Sequence, residues 1–242
     1  SSHIKKIKKV LKRVDFLHTD CYRDFEIAKE LGFSRMHVGV IPGGTGYKLE
    51  ETNLYKLPLI ERKIILVKGY EHNLGRGLNV IKALESIIKN IQKYDVVVFG
   101  AHQKVIDYIK TNQLNFEFFG RHELSHQELM QLMGKSLFYI GNSISDGMPN
   151  TLLEAIAMGA FPMQSNPGKV TEEIIENGVN GLLINNAESI DEIKGVVLKA
   201  ISYDEILQSA SKKNHDIAIE KLEYSVNKKK VIQIYNLIAQ CE

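Results

Sequence analysis

From Lys63 onward, short apolar runs alternate regularly with segments of helical periodicity, which restricts the chain to a doubly wound parallel α/β sheet. Parallel strands buried on both faces read as unbroken runs of Val, Ile, Leu and Phe. Lys63–Val67 (KIILV), Asp95–Gly100 (DVVVFG), Asn115–Gly120 (NFEFFG) and Ser136–Ser143 (SLFYIGNS) are such runs, with Ala160–Gln164 and Gly181–Asn185 after them. Between them Arg76–Lys89, His102–Lys110, Ser125–Met133 and Thr151–Met158 read as helices, the first and last with apolar residues clustered on one face. Ser125 with Glu128 and Ser189 with Glu192 have capping-box spacing, the second opening a helix over Ile190–Ser202. Further helices fall near Asp204–Lys221 and Ser225–Ala239.

The front of the chain repeats the pattern on a smaller scale. Ile4–Val14 reads as a helix with Ile4, Ile7, Leu11 and Val14 on one face and lysines opposite. That basic amphipathic face suits either an anionic membrane surface or packing on its own domain with the lysines in water, and the second is the working expectation. Strands at Asp15–His18 and Met36–Ile41 flank a helix over Thr19–Leu31, and Pro42-Gly43-Gly44-Thr45-Gly46 breaks the pattern. The opening Ser-Ser-His, without Met, reads as a tag remnant or a cut end and is left out of the fold reasoning.

Composition sets bounds. A net charge of +2 from 31 basic and 29 acidic residues calls for no nucleic-acid partner. No apolar run approaches the roughly 20 residues that cross a bilayer. Cys21 and Cys241 lie far apart without metal-like spacing, as in a reducing cytoplasm. His18, His37, His102, His126 and His215 show no ligand spacing and are given structural roles.

Ser143–Asn186 concentrates the chemistry. The turn Asp146-Gly147-Met148-Pro149-Asn150 leads into the Thr151–Met158 helix with Asn150 at its N-cap, and Gly159 stops that helix. The loop Ser165–Gly168 and a second helix near Val170–Glu176 repeat the arrangement. A helix opening at Asn150 leaves the N–H groups of Thr151, Leu152 and Leu153 without intrahelical partners, and these suit a phosphate. Asp146 and Glu154 flank the spot eight positions apart, and carboxylates accept hydrogen bonds from hydroxyls. A ligand with both diphosphate and sugar hydroxyls fits that mixture. Similar units occur in α/β proteins with no site there, where Glu154 would be a surface acid.

Asp146, Gly147, Pro149, Glu154, Ala155, Ala157, Gly159 and Pro162, continued by Gly168, Glu173-Ile174, Gly178 and Asn180-Gly181-Leu182-Leu183, resemble the nucleotide-sugar site of the family 4 retaining glycosyltransferases. That family has the GT-B fold of two facing Rossmann-like domains, and carries Glu where this chain has the shorter Asp146. The resemblance implies that residues 1–41 are a remnant of the acceptor-side N-terminal domain with its crossover. Residues 42–222 are then the Rossmann-like nucleotide-sugar domain, and 223–242 a helix returning toward the first domain. Gly43 and Gly46 stand where the family's crossover has Asn and Asp.

The implied roles follow. Glu154 accepts hydrogen bonds from the ribose, while Asp146 and the backbone of Gly147, Met148, Pro149 and Asn150 orient the donor sugar. Thr151 and Leu152 N–H groups hold the diphosphate with Arg76, which stands near the family's Lys. A cation at a helix N-terminus opposes the dipole, so Arg76 calls for a nearby anion. Lys68 and Gly69 lie close by, and Tyr70 replaces the family's Arg. Gly120 and Arg121, with His122, border the base, and Lys169 is a further phosphate candidate. No metal is implied, there being no Asp-x-Asp motif, and no cofactor beyond the nucleotide-sugar donor. The acceptor, a glycan or lipid-linked sugar, belongs to the domain largely absent from the sequence, so this chain should bind donor yet transfer sugar poorly. The usual setting is cytoplasmic, at the inner face of a membrane, with peripheral contact. A nucleotide-sugar epimerase and a non-catalytic nucleotide-binding domain are the rival readings. An NAD-type Rossmann protein is disfavoured because no Gly-x-Gly-x-x-Gly turn follows the first strand.

Overall fold

The computed structural model describes residues 2–203 and 205–241. The chain begins with α1 (Ser2–Leu11), β1 (Phe16–Thr19), α2 (Tyr22–Glu30) and β2 (Met36–Val40), the two strands pairing in parallel. The helix expected to reach Val14 stops at Leu11, and Ile4 and Ile7 remain 46% and 39% exposed. The small core of Leu11, Ala28 and Phe33 reaches only the last turn of α1, so the rest of its apolar face is left in solvent.

A short helix, α3 (Leu49–Asn53), precedes the main sheet. Then come β3 (Ile64–Lys68), α4 (Gly77–Ser86), β4 (Asp95–Ala101), α5 (Gln103–Thr111), β5 (Glu117–Gly120), α6 (His126–Lys135), β6 (Ser136–Gly141), α7 (Asn150–Ala157) and β7 (Phe161–Ser165). β8 (Leu182–Ile184), α8 (Ile190–Ile201), α9 (Ile206–Ile217) and α10 (Tyr224–Ala239) finish the chain. Asp204, where the sequence placed the start of the penultimate helix, lies outside the described residues. The six strands form one parallel sheet in the order β5-β4-β3-β6-β7-β8, the doubly wound arrangement that the alternation required. No helix among the described residues is long and apolar enough to cross a membrane.

Alternation along the strands feeds two cores. Ile65 and Val67 pack with Val80, Ile81 and Leu84 of α4 and Ile193 and Val197 of α8. Leu66 packs on the other face with Tyr139, Leu152, Leu153 and Ile156. The last three are fully buried and all belong to α7. At roughly 1.5–3 kcal/mol each, their burial fixes where that helix points. Gly159 then ends it in the left-handed region at φ +76, as its place in the sequence anticipated.

Two local expectations change. The helix near Val170–Glu176 is instead a pair of short 3₁₀ turns, Pro167–Lys169 and Thr171–Glu173. Asn166 prevents the longer helix by accepting from Thr171 N at 3.1 Å and donating to Glu172 at 2.7 Å, while Gly168 and Lys169 take positive φ. Of the two capping boxes, the one at Ser125 is complete. At Ser189 the Glu192 carboxylate turns away and accepts from Asn185 N and Asn186 N.

The front unit is tied to the main sheet by a carboxylate. Cys21 at the N-cap of α2 offers no side-chain bond to the helix, and Tyr22 N and Arg23 N donate to Glu173 at 2.8 and 2.9 Å. Arg23 Nη1 also donates to Pro167 O. At the other end Tyr47 N donates to Leu222 O and Tyr224 N to Tyr47 O, locking the connection against the start of α10.

Candidate functional site

Strand order reverses between β3 and β6, and open α/β sheets receive ligands at the carboxyl ends of their strands at such a point. A cavity of about 240 Å³ opens there, lined by Lys68, Tyr70, His72, Asn142, Ser143, Ser145, Asp146 and Gln164 among others. Complete ligand sites run to roughly 300–1,000 Å³, so this one has room for a sugar or phosphate group rather than a whole nucleotide sugar.

Three charged groups bear on it. Lys68 ends β3, and burial pushes its ammonium pKa down while the Asp146 and Glu154 carboxylates hold it up. Glu154 is 7% exposed on α7, so it is not a surface acid. Burial raises its pKa, and a hydrogen bond from His126, the charge on His126 and Lys68 work in the opposite direction. His126 Nε2 lies 2.9 Å from Glu154 Oε1. Asp146 sits in the loop between β6 and α7 as part of the cavity wall.

The amino end of α7 differs from expectation by one residue. Its N-cap is Pro149, whose carbonyl accepts from both Leu152 N and Leu153 N. The N–H groups without a backbone partner are therefore those of Asn150 and Thr151, and Leu152 contributes only a buried side chain. Met148 and Pro149 are buried, Gly147 half-buried and Asn150 exposed. Thr151 Oγ1 lies 2.9 Å from Tyr139 Oη, and Tyr47 Oη donates to Asn150 O at 3.4 Å.

Arg76 is placed differently from the phosphate-facing position expected for it. Its Nε donates to Glu188 at 2.6 Å, and its Nη1 to the carbonyls of His72, Asn73 and Gly75. The anion that a cation at this N-cap requires is thus Glu188, and the cation that reaches the cavity is Lys68. Gly69 N donates to Phe99 O inside the sheet. At the end of β5 the Gly120 N–H is taken by Glu123 at 2.6 Å, and Arg121 is exposed with its guanidinium 5.8 Å from the Tyr70 ring. Lys169 is not among the residues lining this cavity.

Several site residues were given no binding role by the sequence reading. Tyr70 lies between cations, with Lys68 Nζ 4.6 Å from its ring centroid, a cation–π distance. Its ring covers Gly100 so closely that a Cβ there would sit 2.6 Å from Tyr70 Cε1, and Gly100 also needs φ +59. His102 and His72 pack beside it, with ring centroids 5.5 and 6.1 Å from that of Tyr70. Asn142 and Gln164 are buried cavity residues whose Oδ1 and Oε1 have no hydrogen-bond partner. An aromatic just beyond the central strand was the one available signal for Tyr70; none existed for His126, which meets Glu154 only through tertiary packing.

The fold and cleft define a class: a Rossmann-like domain with two carboxylates and a half-buried lysine at its switch point. The chain belongs to the glycosyl transferases group 1 family, whose model matches residues 60–231, well over half of its length. No curated protein sequence matches it. Among solved structures it is similar to Anabaena HepE in complex with UDP and glucose, at 15% identity and TM-score 0.76, covering 97% of this chain and 67% of that one. It is similar to the pneumococcal O-GlcNAc transferase GtfA in complex with UDP and GlcNAc, at 20% identity and TM-score 0.76, covering 98% and 48%. A sucrose-phosphate synthase of Thermosynechococcus elongatus matches at 14% identity and TM-score 0.77, covering 100% and 62%. These likenesses show a GT-B-type fold, of which the chain spans about half to two thirds.

Proposed function

We propose that this chain is the donor-binding part of a nucleotide-sugar-dependent glycosyltransferase that retains anomeric configuration. Lys68 and Asp146 in the wall of the switch-point cleft, with buried Glu154 close enough for its charge to act on Lys68, carry the reading. Lys68 and the N–H groups of Asn150 and Thr151 bind the diphosphate and stabilise the charge that grows on it as it leaves. Glu154, held by His126, accepts hydrogen bonds from the ribose. Asp146 receives sugar hydroxyls. In the transfer step the bond from the anomeric carbon to the diphosphate oxygen breaks, an acceptor hydroxyl bonds to the same face, and its proton passes to the departing phosphate. Gly120 and Arg121 border the base.

Residues 42–222 form the donor unit in this reading. Residues 1–41 belong to the acceptor side, which is supported by their separate small core and by the Glu173 tie. The acceptor is a glycan or lipid-linked sugar met at the cytoplasmic face of a membrane. Uridine nucleotides are the first ligands to try, because HepE and GtfA were solved with UDP. Thermal unfolding with UDP, GDP, ADP and their sugar conjugates tests the proposal. A ligand at 100 times its Kd stabilises by ~2.7 kcal/mol, about 5–10 °C for a chain of this size. A shift with one base, abolished in Glu154→Ala, is the expected result; no shift with any nucleotide at 10 mM overturns it.

A further inference from the structure

A second cavity, of about 420 Å³, lies at the opposite end of the strands, between the segments that lead into β3 and β7. Lys56, Arg62, Lys212 and His215 line it with Gln208 and Ser211, and no carboxylate of the described residues does. Gln208, Ser211, Lys212 and His215 follow the i, i+3, i+4, i+7 spacing of one face of α9, so they address the cavity together.

Arg62 is 6% exposed and rigidly held. Its Nε donates to Leu57 O at 2.8 Å, and its Nη1 to Met158 O at 3.0 Å and Ser136 O at 3.3 Å. Its Nη2 has no protein partner among the described residues. A Cβ built on Gly159 would lie 3.6 Å from Nη1, 3.7 Å from Nη2 and 3.7 Å from Ser211 Oγ, so the guanidinium and the hydroxyl meet at one point on the cavity wall. The Lys56 ammonium likewise has no hydrogen-bond or ion-pair partner among the described residues. Burial, and secondarily Arg62, push its pKa down to about 8. Two partly desolvated cations side by side without a carboxylate make a positive potential that an anion relieves. A planar guanidinium edge with a hydroxyl and an ammonium matches the oxygens of a phosphoryl group.

We propose that this cavity binds a phosphoryl group carrying two negative charges, on a free small molecule or a lipid headgroup, at a site separate from the donor cleft. Leu54 and Ile60, 84% and 92% exposed on the segment that carries Lys56 and Arg62, give a headgroup an apolar rim to approach. The site also has a route to the cleft. α7 presents its amino end to the cleft and Ile156 to the cavity, a span of about 9 Å along one helix.

The test uses the whole chain and inorganic pyrophosphate. Calorimetry on Lys68→Ala, which weakens phosphate binding in the cleft, isolates the rear site. Acetic anhydride labelling of Lys56 with and without pyrophosphate reports occupancy in the unaltered protein. Binding that persists in Lys68→Ala, protects Lys56 at least threefold and weakens tenfold or more in Lys56→Gln/Lys212→Gln is the expected result. The control Lys228→Gln/Lys229→Gln, on exposed α10 positions, should leave it within twofold. Vesicles of phosphatidylcholine with and without phosphatidic acid separate the two sources. Sedimentation dependent on phosphatidic acid and lost in the cavity variant identifies a headgroup; pyrophosphate binding without sedimentation identifies a free anion. Loss of all pyrophosphate binding in Lys68→Ala, no protection of Lys56, or equal weakening in the control overturns the proposal.

Discussion

Replacing Glu154 by Gln should stabilise the free protein and weaken nucleotide binding in the same variant. The carboxylate is 7% exposed, and burial raises its pKa despite His126 and Lys68. A folded pKa above the unfolded value means that the folded state holds the proton more tightly. Stability is then highest below the unfolded value and falls as pH rises through the folded one, leaving the ionised group a cost at neutral pH. Gln keeps the shape and still accepts from His126 at the position where Oε1 now does so at 2.9 Å. Trading the buried charge for a neutral isostere should stabilise by about 1 kcal/mol, or ~2–4 °C in Tm. Binding moves the other way. Hydrogen bonds to charged groups are worth about 1.5–3 kcal/mol, and losing that charge under two ribose hydroxyls should raise the Kd for UDP by roughly 10–100-fold. Scanning calorimetry gives the first number and titration with UDP the second. A lower Tm with unchanged Kd would refute the reasoning, because it would make Glu154 a structural acid.

His126→Ala should weaken UDP about fivefold at pH 7, because Glu154 loses its positioning partner. It should also move the acid limb of the affinity profile to higher pH, because Glu154 loses the interactions that hold its pKa down; identical profiles from pH 5 to 8 would count against the pairing. Glu173→Ala removes the cap of α2 and should cost about 1–2 kcal/mol, with faster hydrogen exchange at Tyr22 and Arg23; unchanged protection there would show that the tie carries no energy. Lys56→Met should stabilise at pH 7 by about 1 kcal/mol, a figure discounted for partial exposure. In the parent protein the folded pKa of about 8 lies below the ordinary 10.5, so the unfolded chain holds that proton and stability rises between those values. Urea midpoints at pH 7.5 and 10 should show the rise in the parent and not in the variant, and equal slopes would remove the argument. Arg76→Ala should lower stability yet change the Kd for UDP by less than about threefold, since its guanidinium serves Glu188 and three carbonyls; a tenfold loss would return it to the phosphate.

The sheet was legible because parallel strands buried on both faces leave little freedom of composition: KIILV and DVVVFG have few other uses. The turn into α7 was legible because Gly, Pro and a cap residue in succession have steric meaning at fixed spacing. The helix start was misplaced by one residue: Asn150, read as the cap, is the first helical residue, and Pro149 is the cap, its carbonyl accepting from Leu152 N and Leu153 N. Arg76 shows the other limit. The reasoning that a cation at a helix N-terminus needs an anion was sound, but that anion, Glu188, lies 112 positions away in sequence. The pairing of His126 with Glu154 is of the same kind, since no periodicity couples the first residue of one helix to the middle of the next.

Half-buried Lys68 and buried Glu154 explain each other. Lys68 is destabilised by burial and relieved by Asp146 and Glu154, while Glu154 is destabilised by burial and relieved by His126 and Lys68. Burial is the larger influence on both groups, and their mutual attraction offsets only part of it. A ligand that brings phosphate to the cation and hydroxyl donors to the acid replaces the solvation that each has lost, and does so at both groups at once. A plain phosphate serves only the first and a plain sugar only the second. Occupancy of the whole cleft should therefore be cooperative within a single nucleotide-sugar molecule, with UDP-sugar binding more tightly than the product of the separate phosphate and sugar affinities; strict additivity would mean that the two groups act independently.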